Sequence, residues 1–141
     1  MAKKTKATPR AYVDTSALIA FLDHSDSYHP LFRRLFADPP PLVSTMLVVA
    51  EGHGWFLRRL DRTRALQFMA FVEQLEPLQL VPIGPEEQAG GVGVLRKFSA
   101  QDLTMADAVG LHLMKTLRIN ACWSTDFHLG LAGAQLAIDP H

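Results

Sequence analysis

The sequence is poor in cysteine and contains no long apolar run, and both features narrow its possible classes. Cys122 is the sole cysteine among 141 residues, so the chain can form no internal disulfide and has no cysteine-rich zinc pattern. No apolar stretch reaches the ~18 residues that a membrane-spanning helix needs. The basic N-terminus lacks the apolar segment of a secretory signal. We therefore expect a cytoplasmic protein without a membrane segment, in which Cys122 is an inert core thiol.

The chain also lacks net charge, which bears on the partners it could bind. It has 14 basic and 14 acidic residues, but four basic groups lie in the first ten residues, so the remainder carries a balance of −4. A protein that binds nucleic acid usually presents a basic face. A polyanionic substrate would therefore need local basic clusters or bound cations. We interpret residues 1–9 as a basic, disordered tail and residues 10–141 as a single domain.

Short apolar runs alternate with amphipathic segments along the whole chain. The runs lack the in/out alternation of a half-exposed sheet, which is typical of a parallel sheet covered by helices on both faces. We therefore predict an α/β fold, in which ligands bind at the carboxyl ends of the strands. Strands are predicted at residues 10–14, 42–43, 78–83, 119–124 and 134–138, and helices at 15–22, 25–38, 46–60, 63–75, 85–98 and 103–117.

Four carboxylates stand out in this pattern. Asp14 and Asp126 each follow a predicted strand, whereas Glu51 and Asp107 lie among apolar residues of predicted helices. Each aspartate has a structural alternative, because Asp14 could cap a helix, Asp107 could complete a capping box with Thr104, and Asp126 could cap a turn. Glu51 lacks a comparable role toward the backbone.

Taken together, the four acids predict a metal site. Like charges repel and raise one another's pKa, so clustered carboxylates are stable at neutral pH only with a cation among them. Oxygen ligands without cysteine or paired histidines favour a hard ion, Mg²⁺ or Mn²⁺. Such an ion can orient a water for attack on a phosphate and neutralise the developing charge. It would also allow an acidic site to accept a polyanion.

Four motifs occur in an order that resembles a known family. They are V-D-T-S-A-L from Val13, V-V-A-E from Val48, L-T-M-A-D-A from Leu103 and S-T-D-F-H-L from Ser124. In order and spacing they are similar to the PIN-domain nucleases, and most similar to the VapC-type toxins of toxin–antitoxin pairs. The resemblance implies a Rossmann-like, three-layer α/β fold with a central, mainly parallel sheet. It also implies an Mg²⁺- or Mn²⁺-dependent ribonuclease that hydrolyses RNA phosphodiester bonds.

The resemblance also assigns roles to the acids. Asp14, Glu51 and Asp107 match the metal-binding acids of the family, and Asp126 matches the fourth acid, which acts directly or through water. Asp102 is a possible extra acid, although a solvated turn residue is the favoured interpretation.

Two serines and the closing motif complete the comparison with the family. Ser16 matches a small hydroxyl residue that supports the first acid, and Ser124 stands where the family usually has threonine. The closing pattern resembles T-x-D-x-H-F, in which His128 matches and Leu129 replaces the aromatic residue. The sequence assigns His128 a structural or supporting role.

The implied partners are RNA, a second copy of the chain and a small antitoxin that covers the active cleft. The sequence contains three basic clusters, which are interpreted as solvated helix faces or as contacts to RNA phosphates: Arg33–Arg34, Arg58–Arg59 with Arg62 and Arg64, and Arg96–Lys97. A PIN-domain module for RNA processing or RNA binding, without toxicity, stays open as an alternative. A HAD-like phosphatase is disfavoured, because its D-x-D motif would require an aspartate where Ser16 stands.

Overall fold

The computed structural model describes residues 9–139, which form five short strands and six α-helices. The basic tail predicted at residues 1–9 lies outside the described residues, apart from Pro9. The strands are β1 Ala11–Val13, β2 Leu42–Ser44, β3 Leu78–Leu80, β4 Ala121–Trp123 and β5 Gln135–Leu136. The helices are α1 Thr15–Leu22, α2 His29–Ala37, α3 Met46–Arg59, α4 Arg62–Gln74, α5 Pro85–Lys97 and α6 Met105–Thr116, and a short 3-10 helix, Phe127–Gly130, follows β4.

The strands form one parallel sheet in the order β3-β2-β1-β4-β5. β1 lies in the centre, where Ala11 pairs with Leu42 of β2 and with Ala121 of β4. The chain adds β2 and β3 on one side of β1 and later adds β4 and β5 on the other side. The strand order therefore reverses between β1 and β4, and such a reversal opens a crevice outside the carboxyl ends of the two strands.

Helices cover both faces of this sheet. Ala11 and Val13 pack in a core with α1 to α4, whereas Tyr12 points to the opposite face and packs with α6 and part of α5. Because both faces of β1, β2 and β4 are buried, these strands need no polar side, whereas the outer strands β3 and β5 each expose a glutamine. Cys122 is a buried free thiol of the second core, as predicted. The predicted three-layer α/β architecture is confirmed.

α2 begins later than the sequence predicted. Its predicted start was Ser25, but the helix begins at His29. The carboxylate of Asp23 accepts hydrogen bonds from the amide and the hydroxyl of Ser25, and Asp26 caps the following turn in a similar way. Such side-chain turns offer the backbone an alternative to the helix, so they delay its start.

The strands are also shorter than predicted. β3 ends at Leu80 and not at residue 83, because Pro82 has no amide to donate to a neighbouring strand. The outermost strand, β5, spans only two residues. A pattern of apolar residues does not reveal where pairing stops, because pairing depends on the length of the neighbouring strand.

α3 and α4 pack closely because a glycine stands at their contact. Gly52 of α3 faces the ring of Phe68 on α4, and a methyl group at position 52 would overlap that ring. Phe68 is fully buried, so the ring has little freedom to move away.

Within residues 9–139, no helix is long and apolar enough to cross a membrane.

Candidate active site

The four predicted acids lie around the crevice at the β1–β4 reversal. Asp14 follows β1 and caps α1, and Asp126 follows β4 and caps the 3-10 helix. Asp107 lies in the first turn of α6. Glu51 belongs to α3, and its Oε2 accepts a hydrogen bond of 3.3 Å from the hydroxyl of Thr15, the residue after Asp14. The structure therefore brings all four carboxylates to one end of the sheet.

Asp14 is held by two serine hydroxyls. Its Oδ2 accepts a hydrogen bond from Ser16 Oγ at 2.8 Å and from Ser124 Oγ at 3.0 Å. Each serine oxygen also accepts a hydrogen bond from a backbone amide of the segment after β4. The amide of Thr125 donates to Ser16 Oγ and the amide of Asp126 donates to Ser124 Oγ, both at 2.9 Å. The two serines thus join the first acid to the segment that carries the fourth, and their supporting role in catalysis stays a prediction.

The caps that the sequence offered as structural alternatives are all present. The amide of Asp107 donates to Thr104 Oγ1 and the amide of Thr104 donates to Asp107 Oδ2, both at 3.1 Å, which completes a capping box. Asp14 accepts from the amide of Ser16, and Asp126 accepts from the amide of His128. Capping and clustering therefore coexist in the same three side chains.

Each cap engages only one oxygen of its carboxylate. The caps engage Oδ2 of Asp14, Oδ2 of Asp107 and Oδ1 of Asp126. Among the hydrogen bonds within residues 9–139, no protein group donates to the other oxygen of these carboxylates. One oxygen thus fixes the orientation of the side chain, while the other is available to a cation or to water.

His128 belongs to this cluster, although the sequence gave no reason to place it among the ligands. Its Nδ1 lies 2.9 Å from Asp126 Oδ1. One ligand atom from each of Asp107, Asp126 and His128 lies within 4.8 Å of those of the other two. With a carboxylate as its partner, Nδ1 is assigned the proton. The local signal was the D-x-H spacing, which places both side chains in one short turn.

Glu51 is more exposed than its apolar neighbours in the sequence suggested. The buried residues of α3 are Val48, Val49, Gly52 and Phe56, and Glu51 lies outside this stripe. The expectation of an acid on an apolar helix face was therefore wrong in its local detail. The exposed position leaves the carboxylate open to solvent at the border of the cleft.

Burial and mutual repulsion perturb three of the acids. Burial is the largest cause that raises the pKa of Asp14 and of Asp107, and for Glu51, an exposed residue, the largest cause is the partial desolvation of its carboxylate at the cleft border. The charge of Asp107 further raises the pKa of Asp14 and of Glu51, and the charge of Asp126 raises that of Asp107. Hydrogen bonds, chiefly from Ser16 to Asp14, oppose these effects only in part. The carboxylates are therefore close enough to interact, and a cation would relieve their repulsion.

The donor set fits a hard divalent cation. Carboxylate oxygens, which Mg²⁺ and Mn²⁺ prefer, outnumber the imidazole of His128 in this set. Each of the three aspartates keeps one oxygen that accepts no hydrogen bond within residues 9–139. Asp107 is 7% exposed and Asp14 is 5% exposed, so neither charge is well solvated by water alone. Buried charges of one sign require a counter-charge, and an ion supplies it without a basic side chain.

The remaining predicted positions lie elsewhere or stay open. Asp102 is exposed in the loop before α6, as a solvated turn residue would be. Arg59 and Arg64 line a surface cavity with His24 near the C-terminal end of α1, the end opposite Asp14. This cavity also contains acidic residues, so its charge is mixed.

These features define the structural class of the protein. The chain is a Rossmann-like α/β domain whose switch point carries an acidic, cation-suited site. The family model of the PIN domain matches residues 11–130. The chain therefore belongs to the PIN-domain family, as the four motifs predicted.

Solved structures share this fold. Toxin VapC20 of Mycobacterium tuberculosis, which cleaves the sarcin-ricin loop, has a TM-score of 0.81 and 20% identity, covering 89% of this chain and 96% of that chain. A protein of Pyrobaculum aerophilum has a TM-score of 0.63 at 18% identity, covering 93% and 90%. A toxin–antitoxin complex from Klebsiella pneumoniae has a TM-score of 0.62 at 16% identity, covering 89% and 94%. Among proteins of curated function, the sequence finds no match.

Proposed function

We propose that this protein is an Mg²⁺- or Mn²⁺-dependent endoribonuclease and the toxin of a VapBC-type toxin–antitoxin pair, acting in the cytoplasm. The observation that carries the proposal is the convergence of Asp14, Glu51, Asp107 and Asp126 at the β1–β4 switch point. Membership in the PIN-domain family supports it. Further support comes from the fold that the chain shares with VapC20, an RNA-cleaving toxin, and with a toxin–antitoxin complex.

The match of the four acids to the PIN-domain pattern supports a catalytic role for each of them. Asp14, Asp107 and Glu51 would hold the cation, the first two through the oxygens that their caps leave free. When bound, the cation polarises the phosphate and makes a bound water more acidic. Asp126 would orient an attacking water or accept its proton. His128 donates to Asp126 at 2.9 Å and so fixes the carboxylate in place.

The helix caps hold the carboxylates of this site in fixed orientations before any substrate binds. Asp14, Asp107 and Asp126 each lie at the N-terminal end of a helix, and their side chains keep one orientation because a backbone amide donates to one oxygen. Preorganised groups need not rearrange as charge develops on the phosphate. The serine pair Ser16 and Ser124 extends this rigidity to the β4 side of the cleft.

Cleavage of RNA with Mg²⁺ or Mn²⁺ tests the proposal. We expect Asp14→Asn and Asp107→Asn to lose activity while their circular dichroism spectra stay those of the wild type. EDTA should abolish cleavage and added Mn²⁺ should restore it. Cleavage that resists EDTA, or that both variants retain, would refute the metal mechanism. Turnover of small phosphomonoesters in place of RNA would favour a phosphatase.

The toxin role needs its own test, because a PIN-domain enzyme of RNA maturation would have the same site. Expression of the wild-type chain should arrest growth, and expression of Asp107→Asn should not. Co-expression of the small protein encoded next to it should restore growth and co-purify with the chain. The proposed homodimer is tested by sedimentation of the purified protein. Active RNA cleavage without growth arrest would favour the maturation role.

A further inference from the structure

An exposed aromatic side chain stands beside the acidic cluster. Phe127 is the first residue of the 3-10 helix and directly follows Asp126. Its side chain is 65% exposed, which is the largest exposed fraction among the large apolar residues of the described range. Single exposed apolar residues are common on proteins, so exposure by itself indicates little. The position of this residue, next to the fourth acid, is what distinguishes it.

The ring of Phe127 is supported from one side. Its centroid lies 4.2 Å from that of the His128 ring, with an angle of 34° between the planes. His128 is in turn fixed by its contact of 2.9 Å with Asp126. The phenyl ring is thus tied, through one neighbour, to a carboxylate of the cluster. Most of the Phe127 side chain nevertheless stays open to solvent.

A polyanion that approaches this site meets acidic groups. The acids can engage a phosphate only through a cation, and they repel the neighbouring phosphates that no cation screens. Uncharged contacts must therefore supply part of the binding of the nucleotides on either side. A nucleobase is attached one sugar away from its phosphate, and aromatic side chains bind unpaired bases by stacking with little dependence on sequence.

From this arrangement we infer that Phe127 is a stacking platform for a base adjacent to the scissile phosphate. The inference rests on the proposed function, and it assigns Phe127 a contact with an unpaired nucleotide at the cut. A base within a duplex is stacked on its neighbours on both sides and cannot offer a face to Phe127. The site therefore selects loops, bulges and single strands over helical RNA.

Direct binding measurements test the inference independently of cleavage. The probe is a fluorescein-labelled, mixed-sequence single-stranded RNA, measured by anisotropy with Ca²⁺ in place of Mg²⁺ and with a gel to verify that the RNA stays intact. We expect Phe127→Ala to weaken binding by about 5- to 100-fold, the usual effect of removing one stacking partner. Phe127→Trp should bind at least as tightly as the wild type. Tyr28→Ala is the matched control, because Tyr28 is an exposed aromatic residue before α2 and should not matter.

Two further probes separate stacking from general effects. An oligomer of abasic ribose phosphates should bind wild type and Phe127→Ala equally, since it has no base to stack. The same RNA annealed to its complement should also bind both proteins equally. Equal binding of single-stranded RNA by wild type and Phe127→Ala would overturn the inference and favour contact with a protein partner. An equal loss on the abasic oligomer would also overturn it.

The proposed function and this inference fail in different ways. If the wild type cleaves RNA and Phe127→Ala binds it normally, the nuclease stands and the stacking role falls. If the wild type does not cleave RNA but Phe127→Ala loses binding only for probes with bases, Phe127 stacks on a base, but the nuclease falls and with it the placement of that base beside a scissile phosphate. If the wild type binds no RNA at all, the inference is overturned.

Discussion

Replacement of Asp14 by asparagine should stabilise the metal-free protein while it removes activity. Asp14 is 5% exposed, and burial together with the charge of Asp107 raises its pKa in spite of hydrogen bonds from Ser16 and Ser124. A carboxyl group whose pKa is higher in the folded than in the unfolded state destabilises the fold when it is ionised. The ionised form therefore lowers the free energy of unfolding at neutral pH.

Asparagine removes the charge and keeps the contacts. Its side chain has the same shape, and its single oxygen can accept the hydroxyls of Ser16 and Ser124, which donate at 2.8 and 3.0 Å to one oxygen of Asp14. It also remains a good N-cap for α1. Functional sites commonly give up about 0.5–2 kcal/mol of stability in this way. For a domain of this size we expect a rise in Tm of about 2–8 °C in EDTA.

Added Mg²⁺ should reverse the order of the two proteins. A ligand present at 100 times its Kd stabilises the folded state by about 2.7 kcal/mol, which exceeds the gain from asparagine. The wild type should therefore gain Tm with Mg²⁺, while Asp14→Asn should gain little. Differential scanning fluorimetry with and without Mg²⁺ measures both effects. Glu73→Gln, which removes an exposed acid of α4, is the control and should change neither Tm.

Two results would refute this reasoning. If Asp14→Asn had a lower Tm than the wild type in EDTA, the ionised carboxylate of Asp14 would stabilise the fold, and repulsion and burial at the site would not destabilise it. An absence of any Mg²⁺-dependent rise in the wild type would mean that the carboxylates do not form a cation site.

Three further predictions concern pH, the serine bridge and the α3–α4 contact. The folded state of the metal-free protein keeps protons on acids with raised pKa, so its free energy of unfolding should fall as pH rises from about 4 through those raised pKa values. Urea unfolding at several pH values measures this, and a rise in stability would contradict it. Saturating Mg²⁺ should remove the fall. Ser124→Ala should lower Mg²⁺ affinity or activity by about 10- to 100-fold, because it removes the hydroxyl that links Asp14 to the amide of Asp126. Titrations of cleavage with Mg²⁺ measure this effect. Wild-type values would exclude a positioning role for Ser124. Gly52→Ala should lower the free energy of unfolding by about 1–3 kcal/mol through overlap with Phe68. Gly93→Ala is its control, because a methyl group there meets no atom within 4 Å and alanine favours the helix by about 0.5–1 kcal/mol. Equal effects of the two glycine substitutions on urea unfolding would disprove the steric explanation.

Much of the fold could be predicted because its signals are local. The helix that starts at Thr15 follows a capping aspartate, and the capping box of Thr104 and Asp107 is visible in four consecutive residues. Apolar runs of a few residues between helices indicated a parallel sheet covered on both faces. The details that failed depend on competition between neighbours, such as the side-chain turns at Asp23 and Asp26 that delay α2.

The candidate site shows where local signals end. The sequence named the four acids, yet each aspartate also satisfied a capping interpretation, and nothing local could exclude it. The catalytic roles of these acids stay predictions. The sequence does not identify His128 as a metal ligand, because spacing within one segment does not describe a site whose members come from different segments. Its proximity to Asp107 follows only from the way β4 and α6 pack.

The sequence by itself determined the type of each element, the family and the chemical character of the site, because caps, apolar periodicity and residue types are properties of short segments. Tertiary structure decided which groups meet. The pairing of β1 with β4 brings Ser124 to Asp14, and the crossing of α3 and α6 over the sheet end adds Glu51 and Asp107. Distances between carboxylates, and hence their repulsion and their need for a cation, arise from contacts between segments far apart in the chain, which no local pattern encodes.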